Sequence, residues 1–234
     1  MSFANKVVLV VGASSGIGAA TAVAFAKEGA HVVMVGRNEE KLKSISGRCE
    51  KVGKKPLVIK ADISKDAEAK IVVSETIRKF GTLDVLINNS GIIMNTNLRS
   101  VVLLTSLSAA HLIKSKGNIV NVSSVSAQMA LPGSFAYAVS KAGLSHFTRQ
   151  AAMELAAAGV RVNAVSPGPV KTDIMANAGM DIAVLDGVAA KTPLKRMSEP
   201  EEIADLILFL ASEKAKGITG SDFVTDNGSL LMQR

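Results

Sequence analysis

The segment "SFAYAVSK", residues 134–141, holds the only tyrosine of the chain, Tyr137, followed four positions later by Lys141. Residues at i and i+4 share one face of a helix, so a phenol and an ammonium stand side by side if this stretch is helical. A neighbouring cation stabilises phenolate and lowers the tyrosine pKa from a reference of about 10 toward the range of a working general acid or base. Thirteen residues earlier, "IVNVSSVS" sets Ser124 just past a candidate strand, where its hydroxyl can bond a substrate carbonyl oxygen. One group then moves a proton, the second tunes it, and the third orients the oxygen. The same spacing is open to a plainer reading, in which a tyrosine packs in the core with its hydroxyl in water and the lysine is incidental.

A second group of residues points to a ligand. The stretch "KVVLVVGASSGIGAATAVAF" places Gly12, Gly16 and Gly18, with Ser14, Ser15 and Ile17 among them, between a candidate strand and a candidate helix. The three glycines suit a tight turn, the approach of a pyrophosphate to the backbone, and close helix-to-strand packing. The N-terminus of the following helix then offers unpaired N–H groups and a positive dipole end to the phosphates of a dinucleotide. At the end of the second candidate strand, "VVMVGRNEEKL", an acidic residue would bond the adenosine ribose 2′-hydroxyl, but Gly36 and Arg37 stand there instead. A guanidinium at that point suits a 2′-phosphate, which favours NADP(H) over NAD(H). Alternatively, Arg37 is a solvated residue at a helix start, with Glu39 and Glu40 as partners.

Positioning these groups requires an alternating fold. Seven short β-branched runs ("KVVLVV", "HVVMV", "PLVIK", "DVLIN", "GNIVNVS", "VRVNAVS" and "SDFVTD") are separated by longer stretches, most with apolar residues at helical spacing. Continuous apolar strands between helices imply an α/β fold, a Rossmann-type doubly wound, seven-stranded parallel sheet with helices on both faces. Ligands in such sheets bind at the carboxyl ends of the strands, where the glycine turn, Ser124 and Tyr137 would meet. No Pro/Gly/Ser-rich linker or fixed repeat divides the chain, so residues 1–234 are read as a single dinucleotide-binding and catalytic domain. One irregular connection, residues 166–198, interrupts the rhythm, and a long loop of this kind in a compact domain is usually functional or disordered.

Bulk properties narrow the function classes. The formal charge is +7, but Lys and Arg are scattered and tryptophan is absent, which gives a nucleic-acid groove no stacking platform. No nucleic-acid partner is expected. The single cysteine, Cys49, leaves no internal disulfide and no multi-cysteine metal site. The opening "MSFANKVVLVVGASSG" has no charged stretch leading into a long apolar one, and a reducing, cytoplasmic setting is expected. The apolar runs fall well short of the ~20 residues of a membrane span, so no membrane partner is expected either.

Taken together, the motifs resemble the short-chain dehydrogenase/reductase family nearly end to end: "GASSGIG" (12–18), "ADI" (61–63), "NNSG" (88–91), the serine of "NVSS", "YAVSK" (137–141), "SPGPVKT" (166–172) and "TGSDFVTDNG" (219–228). The resemblance implies Tyr137 as acid/base, Lys141 as its electrostatic partner and a ligand of the nicotinamide ribose, and Ser124 as the substrate-orienting hydroxyl. It also implies that Asn97 supports a water-mediated proton relay to the lysine. For the cofactor, it implies Asp62 and Ile63 near the adenine and Asn89 and Gly91 near the adenosine ribose. The stretch through Pro167, Gly168, Val170 and Thr172 would surround the nicotinamide, with a mobile substrate lid around residues 173–198. Relatives are usually homotetramers or dimers, paired in part through the helices after the fourth and fifth strands. Three departures stand out. Val11 replaces the usual Thr, Ser90 replaces the usual Ala, and the chain between "NNSGIIM" and "NTNLRS" is shorter than in typical relatives by about fifteen to twenty residues.

The expected activity is therefore NADP(H)-dependent interconversion of a ketone or aldehyde and an alcohol, on a small-molecule substrate that the fold does not specify. A dinucleotide-binding sensor or regulatory protein without turnover is the alternative. The complete set of Ser124, Tyr137 and Lys141 argues for the enzyme, because a binding module has no need of an acid beside a cation.

Overall fold

The computed structural model describes residues 2–89, 94–130, 133–172 and 187–233. Seven parallel strands form one sheet: β1 (Val7–Val11), β2 (His31–Gly36), β3 (Leu57–Lys60), β4 (Val85–Asn88), β5 (Asn118–Val122), β6 (Arg161–Pro167) and β7 (Asp222–Thr225). Their spatial order is β3-β2-β1-β4-β5-β6-β7, so the direction of winding reverses between β1 and β4. This doubly wound sheet is the one expected from the alternation of apolar runs. The reversal opens a crevice at the carboxyl ends of the central strands.

The strands read as continuous apolar runs because both faces are covered. Val8 and Val10 of β1, Met34 of β2, Ile87 of β4 and Val120 of β5 join one core cluster with Phe25 of α1 (Gly16–Lys27), Leu42 of α2 (Glu39–Glu50) and Ile203 and Ile207. Val7, Leu9 and Val11, pointing the other way at the two-residue strand period, join Val72, Leu104, Leu112 and Ala151 on the opposite face. Those partners come from α3 (Asp66–Phe80), α4 (Ser100–Ser115) and α5 (Phe135–Leu155). Ile203 and Ile207 lie on α6 (Pro200–Ala211), which starts with Pro at its first turn and a reciprocal capping box between Glu199 and Glu202. α3 stops at Gly81, whose φ of 75° is the left-handed conformation that ends helices cheaply.

Two elements differ from the sequence reading. The helical stretch expected from Asn97 onward does not begin as a regular α-helix. Asn95–Arg99 forms a π-helical turn that leads into α4. The wider turn carries Asn97 inward, fully buried, where an uninterrupted α-helix would place it by a different rotation. The second difference is at the end of α5, which gives way after Leu155 to a tighter 3-10 turn, Ala156–Ala158, closed by Gly159 at φ 77°. No helix among the described residues is long and apolar enough to cross a membrane, and no cluster of three or more His, Cys, Asp or Glu that could hold a metal occurs among them.

Candidate active site

The glycine turn lies between β1 and α1. Gly12 has a φ of 75°, and a Cβ built there would lie 1.7 Å from the backbone oxygen of Asn89. Only glycine lets β1 and β4 approach so closely at this point. Asn89 in turn donates from Nδ2 to the Gly12 carbonyl at 3.3 Å, tying the two strand ends together beneath the turn. A Cβ at Gly18 would sit 2.2 Å from the Gly12 carbonyl oxygen, so the first turn of α1 packs directly on the strand exit. At the mouth, Ser15 is the N-cap residue of α1 but makes no side-chain cap bond, and no acidic residue stands in the first turn. A bare, electropositive helix start under a glycine cradle fits the pyrophosphate of a dinucleotide. Thr172 borders the same cradle, its side chain at 3.0 Å from where a Gly16 Cβ would be.

The residues expected near the adenosine half gather beside this turn. Gly36 ends β2, where a Cβ would lie 3.3 Å from the Ser14 side chain, and Arg37 follows it exposed at the surface. Glu39 pairs with Lys43 at 2.8 Å and with Lys60 at 3.6 Å. The Asp62 carboxylate accepts from the Ser64 hydroxyl at 2.7 Å and the Ser64 N–H at 3.1 Å. These two bonds hold it below the ordinary carboxylate range, and the Arg37 charge adds to the effect. Ile63 is buried within the apolar cluster on the α3 face, so any contact it makes with a ligand goes through its backbone. Gly91 lies outside the described residues.

On the other side of the crevice, β5 ends at Val122 and Ser124 follows in extended backbone, while α5 carries Tyr137 and Lys141 past it. The phenol of Tyr137 is partly buried and hydrogen-bonded to the Ser124 hydroxyl, so the two groups expected to meet do meet. Lys141 is 4% exposed; its Nζ donates to the Val122 carbonyl at 2.7 Å and lies 5.7 Å from the centroid of the Tyr137 ring. The expectation of a lowered tyrosine pKa is corrected here. Burial holds the phenol above its ordinary value of 10, with the Ser124 bond only partly opposing it. The lysine bonds a strand carbonyl and lies beside the ring, so the loss of hydration around the phenol wins.

Burial brings Lys141 down from 10.5 to about 8. Between those two values an unfolded chain holds the lysine proton and the folded chain does not, so stability rises with pH across that window, by roughly 3 kcal/mol in all. Below about pH 8 the folded protein carries the full cost of a buried ammonium. Lys141→Met should remove this rise, which thermal unfolding of both proteins across the same window would show. A wild-type melting temperature that does not climb relative to the variant would contradict the assignment.

Asn97 reaches the site indirectly. Its Nδ2 donates to the Ser140 hydroxyl at 2.8 Å, and that hydroxyl donates to the Tyr137 carbonyl at 2.7 Å. Its Oδ1 is buried without a protein partner among the described residues. The side chain therefore braces the turn of α5 that bears Tyr137. Ser140 was not singled out from the sequence, although its place between the tyrosine and the lysine in "YAVSK" was the available signal.

The expected nicotinamide-side stretch leaves the end of β6. Pro167 closes the strand, the Gly168 N–H donates to the Thr225 carbonyl at 3.0 Å, and Val170 is buried, in a parallel bridge with Ser198. This bridge, with a Lys171–Glu199 ion pair, ties together the two flanks of the expected lid. Residues 173–186 of that lid lie outside the described residues, and 187–190 are helical.

A glycine cradle at the reversal point of a parallel sheet, facing a hydrogen-bonded serine and tyrosine, is the setting in which the comparisons with known proteins are decisive. The short chain dehydrogenase family pattern matches residues 6–183, three quarters of the chain. The chain is a short-chain dehydrogenase. Its sequence is 36% identical to a 3-oxoacyl-(acyl-carrier-protein) reductase of Thermotoga maritima, over 99% of this chain and all of that protein. It is 38% identical to a glucose 1-dehydrogenase of Gluconobacter oxydans, over 98% and 93%. A crystal structure of a short-chain dehydrogenase/reductase of unknown function from Caenorhabditis elegans, solved with cofactor, superposes with a TM-score of 0.94 at 36% identity, covering 98% of this chain and 96% of that one. The dehydrogenase is thus an NAD(P)-dependent oxidoreductase acting on CH–OH or C=O groups. The match to the Thermotoga reductase runs over 248 positions, more than the 234 residues present, so the dehydrogenase lacks positions that this relative has.

Proposed function

We propose that the dehydrogenase uses NADP(H) to interconvert a ketone or aldehyde and an alcohol, with Tyr137 as general acid/base. The observation that carries this reading is the Ser124–Tyr137 hydrogen bond beside the buried Lys141, on the same crevice as the glycine cradle. When bound, the nicotinamide supplies or accepts a hydride. In the reduction, the Tyr137 hydroxyl gives its proton to the oxygen of the substrate as charge develops there. Ser124 donates a second hydrogen bond to the same oxygen and fixes its direction. A charged Lys141 offsets the phenolate left behind, and its pKa near 8 lets it hold that charge at neutral pH. Gly12, Ser14, Ser15, Gly16, Ile17 and Gly18 would hold the pyrophosphate. Asp62, the Ile63 backbone, Asn89 and Gly91 would flank the adenosine, and Pro167, Gly168, Val170 and Thr172 the nicotinamide. A panel of ketones and aldehydes tested for consumption of NADPH and NADH examines the activity, and no turnover with either cofactor would remove it.

The preference for the phosphorylated cofactor rests on Arg37, exposed after a glycine where a carboxylate would bar a 2′-phosphate. Loss of a charge-assisted bond there costs about 10- to 100-fold in affinity. Arg37→Asp should weaken NADPH by that factor and leave NADH unchanged or improved, as read by calorimetric titration. Equal loss for both cofactors would show that Arg37 does not contact the 2′ position.

We also infer a homo-oligomer, a dimer or tetramer, paired through α4 and α5. Phe135 is 82% exposed and Met153 80%, with Val102 and Val139 also at the surface of the same two helices. Met153→Glu should shift sedimentation toward smaller species. A cytoplasmic setting is supported by the lone Cys49, whose buried thiol is pushed up to about 11 and stays unreactive.

A further inference from the structure

One carboxylate outside the catalytic set reaches the residues behind it from the start of β7. Asp222, the first residue of β7, is partly buried and accepts from the Ser145 hydroxyl at 2.7 Å and from the Ser166 hydroxyl at 2.6 Å. Ser145 is on α5 and Ser166 on β6, and both are buried. Ser145 also lies 2.9 Å from the Ser123 hydroxyl, which is 3.1 Å from the Lys141 carbonyl. Ser123 is the chain neighbour of Ser124, and its own N–H donates to Val165 at 2.7 Å. Four elements, β5, β6, β7 and α5, therefore meet through three hydroxyls and one carboxylate.

The carboxylate sets the order of these bonds. An ionised carboxyl group only accepts, so Ser145 and Ser166 must spend their single protons on it. Ser145 then has only a lone pair to offer Ser123, and Ser123 shares its one proton between Ser145 and the Lys141 carbonyl. Without an acceptor at position 222 this order is free to reverse. Tyr137, Lys141 and Ser145 also fall at i, i+4 and i+8, along one stripe of α5. The helix is thus anchored two turns from the phenol, on the face that bears it, to the residue beside Ser124.

We propose that Asp222 is a positioning residue: through Ser145 and Ser123 it sets the spacing between Ser124 and Tyr137, and through Ser166 it ties that pair to the strand leading into the Pro167–Thr172 stretch. This rests on the functional reading above for its consequence, though not for its geometry. A misplacement of about 1 Å in such a pair costs up to 100-fold in rate. Because three other contacts, including the Lys141–Val122 bond, also hold α5, the expected loss is smaller, about 10-fold.

Tyr137 is the only tyrosine and the chain has no tryptophan, so phenolate absorbance in a pH titration of the apoprotein reports on this one residue. In Asp222→Asn the midpoint should move upward, because the Ser124 hydrogen bond that lowers it is lost or lengthened. Ser145→Ala should move it the same way. Leu112→Ala, a core truncation remote from the network, should destabilise the fold and leave the midpoint where it was. In turnover assays, Asp222→Asn should lower kcat by about 10-fold with NADPH affinity within about twofold. An unchanged midpoint in folded Asp222→Asn overturns the proposal, as does an equal shift in Leu112→Ala. If Asp222→Asn does not fold, Ser145→Ala and Ser166→Ala decide by the same titration. A wild-type protein inactive on every carbonyl would overturn the functional reading alone, since the titration needs no substrate.

Discussion

Tyr137→Phe is expected to lower turnover by about 100- to 10,000-fold and to leave the affinity for the nicotinamide cofactor within a few-fold. The substitution removes one oxygen and keeps the ring, so the packing beside Lys141 survives. What disappears is the proton donor to the substrate oxygen and one partner of the Ser124 hydroxyl. A merely structural tyrosine predicts the reverse pattern, since losing the bond to Ser124 would cost about 1 kcal/mol of stability and little rate. Steady-state kinetics, with binding followed by calorimetry, separates the two. Turnover within about tenfold of wild type would deprive the proposed mechanism of its acid.

Gly12→Ala should have the next largest effect, on binding more than on the chemical step. At φ 75° an alanine is strained by roughly 1–2 kcal/mol. Its Cβ would also lie 1.7 Å from the Asn89 oxygen, a backbone atom with no rotamer by which to move away. Overpacking of this kind adds about 1–3 kcal/mol. Together they should lower the melting temperature by roughly 5–15 °C. The turn must shift to relieve the contact, and cofactor affinity should fall by about 100-fold as the backbone N–H groups lose their convergence. Gly47→Ala supplies the contrast. It lies exposed in α2 with nothing within 4 Å of the added Cβ, and it should stabilise the protein by about 0.5–1 kcal/mol. A Gly12→Ala protein that melts and binds like wild type would show that the close approach of β1 to β4 is not needed.

Much of this site was legible in the amino-acid order because its parts are local. The glycine turn, its strand and its helix occupy one continuous stretch. Tyr137 and Lys141 share a helical face by simple spacing. All seven strand runs are found within a residue or two of where the β-branched segments place them. What sequence reasoning missed involves long separations or surroundings. Asp222 meets Ser145 across 77 positions and Ser166 across 56, and no periodic signal links residues so far apart. The π-helical turn before α4 has no composition of its own and changes which side of the helix Asn97 faces.

The pKa of the phenol shows the same limit most plainly. Spacing alone put a cation next to Tyr137 and suggested a lowered value. The fold buries both groups and turns the Lys141 ammonium toward the Val122 carbonyl, so that dehydration outweighs attraction and the shift is upward. By itself, the sequence determined the layered α/β architecture and the glycine turn and singled out the tyrosine proposed as the acid, since these follow from periodicity and from residue types along short stretches. Only the tertiary structure decided how deep those groups lie, which way their protons point and what braces them, because dielectric surroundings and hydrogen-bond direction depend on neighbours that the chain order keeps far apart.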